Sequence, residues 1–154
     1  MATPKTIILK GEPIQKEALA HETLTPGELV QFDATSGKLK KHATAGGTAP
    51  KYFVVEEDFV GDDIDTTYLA NESAQYIVAH SGDEVYGWCS TSQTIKKGDA
   101  LVSDGAGNLA KFTAQAVNEA GSGSYTIYLN AIVAFAAEDK TTTGTRARIK
   151  VEVA

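Results

Sequence analysis

Two stretches of the chain repeat each other, and the repeat limits what the chain can become. Residues 95–112 read IKKGDALVSDGAGNLAKF, and residues 26–42 read PGELVQFDATSGKLKKH. Both run in one order: Gly and an acid, an apolar run, Asp, a turn ending in Gly, then Leu and Lys. Gly27 matches Gly98, Asp33 matches Asp104, Gly37 matches Gly107 and Leu39 matches Leu109, with one gap in the turn. Two apolar runs joined by a short Gly-bearing loop make a β-hairpin, because glycine reaches the positive φ such turns need. One hairpin used twice, each followed by a return strand (residues 52–57 and 125–135), predicts a pseudo-symmetric β fold.

The rest of the chain agrees with that reading. Further strands are expected at residues 51–58, 74–80, 84–89 and 146–153, and a central one at 125–137, bent near Asn130. In the last strand Ala147, Ile149, Val151 and Val153 face one way, and Arg146, Arg148, Lys150 and Glu152 the other. That alternation implies one buried and one wet face. Residues 43–50 read as a loop, 59–67 as an acidic turn, and 113–124 as a loop with a short helical turn at 114–117. Residues 14–24 permit a helical turn or a strand; Pro26-Gly27 ends them and favours an extended segment. Thr6, Ile7, Ile8 and Leu9 form an apolar patch fenced by Pro4 and Lys5 on one side and Gly11 and Pro13 on the other. Such a patch is either a first strand or a segment that orders on a partner. The expected fold is all-β, a small pseudo-duplicated β-barrel or sandwich of short antiparallel strands with little helix. Residues 1–23 are expected to be an N-terminal arm and residues 24–154 a single β domain.

Composition removes several function classes. The net charge is −6 and no basic tract offsets it, which argues against nucleic acid as a partner. Cys89 is the single cysteine, so no intrachain disulfide forms, and a buried apolar thiol is the simplest reading. No apolar run approaches the ~18–20 residues that cross a bilayer, so no membrane association is expected. The N-terminus lacks the apolar core of a secretory signal, and the expected place of synthesis is the cytoplasm.

No constellation of catalytic residues emerges. His21, His42 and His80 have no ligand spacing, so no metal or other cofactor is expected. Residues 61–65 resemble a fragment of a calcium loop without its later glycine and bidentate glutamate. His80-Ser81-Gly82-Asp83 holds the residue types of a serine triad, but adjacent residues cannot point at one another as a triad requires. Gly105-Ala106-Gly107 is too short for a phosphate loop. All of these read as turns, and Lys96-Lys97 as a solvated one, so the chain is not expected to be an enzyme. Tyr86 and Trp88 share a strand face. They serve either as core or, if that face is exposed, as interface anchors with large area and a polar tip.

From Gly61 onward the chain runs through an acidic lead-in, Tyr, a strand, Ser-Gly-Asp-Glu-Val, Ile-Lys-Lys-Gly-Asp-Ala-Leu, Asp-Gly-x-Gly-Asn-Leu, and Ala-Glu-Asp before a basic-apolar final strand. In that order and spacing, together with the hairpin at 26–42, residues 24–153 resemble the capsid decoration, or cement, proteins of tailed bacteriophages. The resemblance implies a β-barrel-like structural protein on the outer surface of the virion head. Such a protein forms a homotrimer that clamps neighbouring subunits of the major capsid protein, and it has no catalytic residues. It gives the arm patch Thr6, Ile7, Ile8 and Leu9 a role in capsid contact, and Tyr86 and Trp88 a place at the trimer interface. Two other classes remain open. One is a receptor- or glycan-binding β module of a phage tail or cell surface. The other is a swivelling carrier barrel of the biotinyl or lipoyl type, although Lys96-Lys97 lacks the setting of a modified lysine.

Overall fold

The computed structural model describes residues 2–114 and 131–154. Among them are β1 (Ile8–Lys10), β2 (Ile14–Leu19), β3 (Leu29–Phe32), β4 (Leu39–Lys41), β5 (Tyr52–Val54), β6 (Ser73–Val78), β7 (Glu84–Cys89), β8 (Thr94–Ile95), β9 (Ala100–Ser103), β10 (Leu109–Lys111), β11 (Ala134–Ala136), β12 (Lys140–Thr141) and β13 (Ala147–Val153). One 3-10 turn covers Asp58–Val60. The protein is all-β, as the hairpin repeat predicts.

The repeat extends well beyond the hairpin. In the first half the sheet order is β2-β6-β5-β3-β4, and a parallel bridge between Ala20 and Leu39 brings its two edges together. In the second half β7, β13, β11, β9 and β10 follow the same order, and β10 also pairs with β7, so these five strands close into a barrel. Its last contact is again parallel and again uses the hairpin leucine, Leu109 opposite Cys89. The short β8–β12 pair, Ile95 opposite Lys140, corresponds to the bridge between Leu24 and Tyr68.

Backbone hydrogen bonds repeat with the strands. Gly27 N–H donates to Val54 O at 2.7 Å, and Gly98 N–H donates to Ala136 O at 2.7 Å. Asp33 N–H donates to Lys38 O at 2.8 Å, and Asp104 N–H to Asn108 O at 2.9 Å. Closing each small sheet on itself hides its edges, which would otherwise template stray pairing.

Side-chain alternation assigns the cores. Ala20, Leu24, Val30, Leu39, Val54, Tyr68, Ala74 and Tyr76 fill the first barrel. The second core holds Val85, Leu101, Leu109, Ile149 and Val151, and it also takes in Leu29, Phe53 and Ile77 from the first half. Strands β3, β5 and β6 are therefore apolar on both faces: one face lines their own barrel and the other docks on the second. That is why residues 52–55 read as a continuous apolar run rather than an alternating one.

Main-chain bonds sew the halves together. Trp88 N–H donates to Gly27 O at 3.0 Å, and Leu29 N–H to Gly107 O at 2.8 Å. Gly27 has φ +94°, and a Cβ there would lie 2.8 Å from Tyr86 O. Only glycine permits both that conformation and that approach.

Several expectations resolve differently from the sequence reading. The run at 51–58 is a strand only over Tyr52–Val54; it then turns, and Glu57 O accepts from both Val60 and Asp62 N–H at 3.3 Å. Arg148, expected on the wet face of the last strand, is 8% exposed, because Pro26, Ile64 and Asp65 close over it. Of the central strand expected at 125–137, only Ala134–Ala136 is strand among the described residues, as β11, seated between β9 and β13. Its earlier part and most of the loop at 113–124, including Val117 of the expected helical turn, lie outside the described residues. Residues 1–23 supply β1, which pairs with β7, and β2, which pairs along its whole length with β6.

Candidate interaction surfaces

The apolar patch of the arm lies against the second barrel. Thr6 is exposed, Ile7 is fully buried, and Ile8 and Leu9 are half-buried against the second core. Ile7 is fixed at both ends of its peptide: its N–H donates to the Glu56 carboxylate at 3.1 and 3.2 Å, and its carbonyl accepts from Tyr86 N–H at 2.8 Å. Burial pushes the Glu56 carboxyl above the usual range, partly offset by the N–H groups it accepts from. Lys10, at the end of β1, pairs with Glu84 at 2.9 Å.

Tyr86 and Trp88 do share the outer face of β7, opposite Lys150 and Arg148 of β13. Tyr86 is 8% exposed, and burial pushes its hydroxyl pKa up. Trp88 is half-buried, with the Arg146 guanidinium 4.1 Å and the Arg148 guanidinium 4.2 Å from its ring centroid. Its indole N–H donates to Pro26 O at 2.9 Å. Each arginine is held in turn. Arg146 bonds the fully buried Glu28 at 2.5 Å and Asn108 Oδ1 at 3.0 Å. Arg148 bonds Asp65 at 2.7 Å, Pro26 O through Nε and Nη2, and Ile64 O. Planar guanidiniums suit this arrangement, since they stack on an aromatic face while their edges make directed bonds.

This network ties the second barrel's last strand to the turn at residues 26–28 that leads into the first barrel's hairpin and to residues 64–65. Sequence reasoning found the tryptophan and missed the arginines. The available signal was Arg-x-Arg on the strand face that Trp88 also uses, but its acidic partners lie far away in sequence. An open cleft of about 580 Å³ adjoins the stack, with Thr3, Lys5, Asp65, Trp88, Lys140 and Arg148 on its walls.

The motifs with catalytic residue types are turns. Asp83 accepts from His80 N–H at 2.8 Å, and Asp104 accepts from Ala106 and Asn108 N–H at 2.7 and 3.0 Å. His42 is buried, with Nδ1 2.7 Å from Ser103 Oγ, and burial lowers its pKa. His21 contacts Ser36 at 3.2 Å. Among the described residues, no three His, Cys, Asp or Glu side chains gather as metal ligands. Cys89 is fully buried, and burial pushes its thiol pKa up, away from nucleophilic thiolate.

The acidic turn gives a different kind of surface. Phe59 is fully exposed at its tip, and Val60 beside it is 66% exposed. A groove of about 240 Å³ next to it is lined by Ile8, Gln15, Val55, Glu56, Phe59 and Gln75. The sequence reading placed a turn here but no interaction surface.

No protein-family profile and no curated sequence matches this chain. A solved structure does: the N base of the head fiber gp8.5 in bacteriophage phi29, with a TM-score of 0.55, covering 93% of this chain and 95% of that one. The two are 10% identical in sequence, so the likeness is one of fold, and it runs through both halves of the chain.

Proposed function

We propose that this chain is a non-enzymatic structural protein of a tailed-phage virion, seated on the outer surface of the head. There it binds the major capsid protein and, as a homotrimer, stabilises contacts between capsid subunits. One observation carries the reading: a head-fiber base shares the fold over 93% of the chain. The order of turn motifs pointed independently to head decoration proteins.

The physics of the role is simple. A closed three-fold ring presents three copies of one binding surface, and linked weak contacts bind far more tightly than one. A protein that binds the expanded shell better than its precursor stabilises the expanded shell by mass action. In this reading the arm at Thr6, Ile8 and Leu9 faces the capsid while Ile7 anchors it to the barrel. Trp88, with the arginines stacked on the indole, lies at or near the contact between trimer subunits, while Tyr86, expected there from the sequence, is 8% exposed and belongs to the core of the single chain.

A second reading is favoured by the solved neighbour, which is itself the base of a head fiber: the chain serves as a base that holds a fiber on the head. Both readings require binding to heads. Purified protein mixed with expanded heads stripped of accessory proteins should co-sediment saturably. Binding to bacterial envelopes with no affinity for heads would instead support a receptor- or glycan-binding module. Light scattering on the free protein tests the trimer.

A further inference from the structure

We infer that the turn at residues 56–65 is a docking knuckle, with Phe59 as its anchor, that inserts into an apolar pocket rimmed by lysine or arginine on a capsid subunit. The inference rests on the head-surface reading and names where on this chain the partner is engaged.

Three observations converge. Phe59 is fully exposed and Val60 66% exposed, so the turn presents an aromatic and an aliphatic side chain to water side by side. Single exposed apolar residues are ordinary, but an adjacent pair at the tip of a projecting turn offers the kind of aromatic anchor that dominates protein interfaces.

The tip is also pre-shaped. Val60 and Asp62 N–H donate to Glu57 O, Gly61 N–H donates to Asp58 O at 3.1 Å, and Gly61 takes φ +84° to end the turn. Asp63 closes the following bend by accepting from Asp65 N–H at 2.9 Å and Thr66 N–H at 3.0 Å. A turn whose backbone is already shaped has less main-chain freedom to lose on binding.

The surroundings select the partner's charge. Residues 56–65 contain six carboxylates and no lysine or arginine. Glu56 is committed to Ile7, Asp65 to Arg148, and Asp63 to its own turn. Glu57, Asp58 and Asp62 form no ion pair among the described residues and collar the apolar tip. A collar of one sign repels like-charged surfaces and steers toward a basic rim. The groove beside the tip is continuous with the arm through Ile8, so knuckle and arm can engage one partner together.

The test measures binding of the full chain to expanded, undecorated heads as affinity against salt. Phe59→Ser should weaken binding by about 30-fold or more, the loss typical of a buried aromatic anchor. The double variant Asp58→Lys/Asp62→Lys should weaken it at low salt and flatten its salt dependence. Phe135→Ser, on the outer face of the second barrel, serves as the control and should bind as the unaltered chain does. Because Phe59 touches solvent, its substitution should leave the melting temperature unchanged, which separates docking from folding. Equal affinity of the Phe59→Ser variant and the unaltered chain for heads would overturn the knuckle and leave the head reading intact. Failure of the unaltered chain to bind heads would overturn both.

Discussion

Glu28 and Asp99 hold the same place in the two hairpins. Each accepts the N–H three residues before it, from Thr25 at 2.9 Å and from Lys96 at 2.8 Å. Each faces the matching lysine, Lys41 at 3.5 Å and Lys111 at 2.7 Å. Yet Glu28 is fully buried and takes Arg146 as a further partner, while the Asp99 carboxylate reaches solvent. Phe53 and Phe135 repeat the contrast: both are the middle residue of a barrel strand, but Phe53 is fully buried and Phe135 is 41% exposed. Around them Leu29 and Ile77 of the first barrel stand where the second has Ala100 and Glu152.

The two barrels thus share closure, turns and inner faces and differ on one outer face. In the first that face is apolar and covered by the second barrel. In the second it carries a glutamate and an alanine around one phenylalanine. A repeat with an apolar docking face on every copy would keep adding copies, and a polar face on the last one stops the stack.

Matched substitutions test this contrast. Phe53→Ala should cost about 3–5 kcal/mol, the usual loss for a buried Phe, whereas Phe135→Ala should stay within about 0.5 kcal/mol as a surface change. Urea unfolding of the pair would show it, and equal losses would mean that the second barrel does not cover Phe53. Next, Glu28→Gln leaves Arg146 and Lys41 without their carboxylate. A loss of about 2–3 kcal/mol is expected, below the full value for breaking a buried pair because both cations reach solvent. Asp99→Asn should change the unfolding midpoint far less.

Glycines at equivalent positions divide the barrels in the same way. Gly27 and Gly98 have φ of +94° and +91°, but only Gly27 would bring a Cβ against the other barrel. Gly98→Ala should cost about 1 kcal/mol from backbone strain alone. Gly27→Ala should cost about 1 kcal/mol more, as the barrels are forced apart. Equal costs would place the barrels farther from each other than the Gly27 contact requires.

The smallest effect is electrostatic. Lys40 and then Ser36 N–H hold the Asp33 carboxyl below its usual range; Lys111 and then Lys96 N–H do the same for Asp99. A depressed folded pKa contributes stability that is present above the ordinary carboxylate range and lost as pH falls through the folded value. Melting temperature should therefore decline between about pH 5 and about pH 2. Asp33→Asn should flatten the decline, since that variant no longer takes up a proton there.

What could be read from the sequence was whatever local chemistry decides. The hairpins were visible because Gly and Asp serve turns through their own backbone and neighbours, as Asp104 does for Ala106 and Asn108. The extended reading of residues 14–24 found β2, although the strand itself stops at Leu19, well before Pro26 and Gly27. The burial of Arg148 was not, because alternation alone puts it in water and its partners lie some eighty residues away. Nor was the exposure of Phe59, since an apolar residue in an acidic turn reads equally well as a loop tucked onto the core. The closing bridges at Leu39 and Leu109 join strands whose neighbours no local pattern specifies.

Everything proposed for the arm, the indole stack and the knuckle depends on the chain sitting on a phage head. Antibody raised against the purified protein and marked with gold, applied to intact virions of a phage whose genome carries its gene, tests that placement without intermediaries. Gold should spread over the head surface and be absent from heads assembled without the protein. Label confined to the tail, or virions without label while the host envelope carries it, would refute the placement.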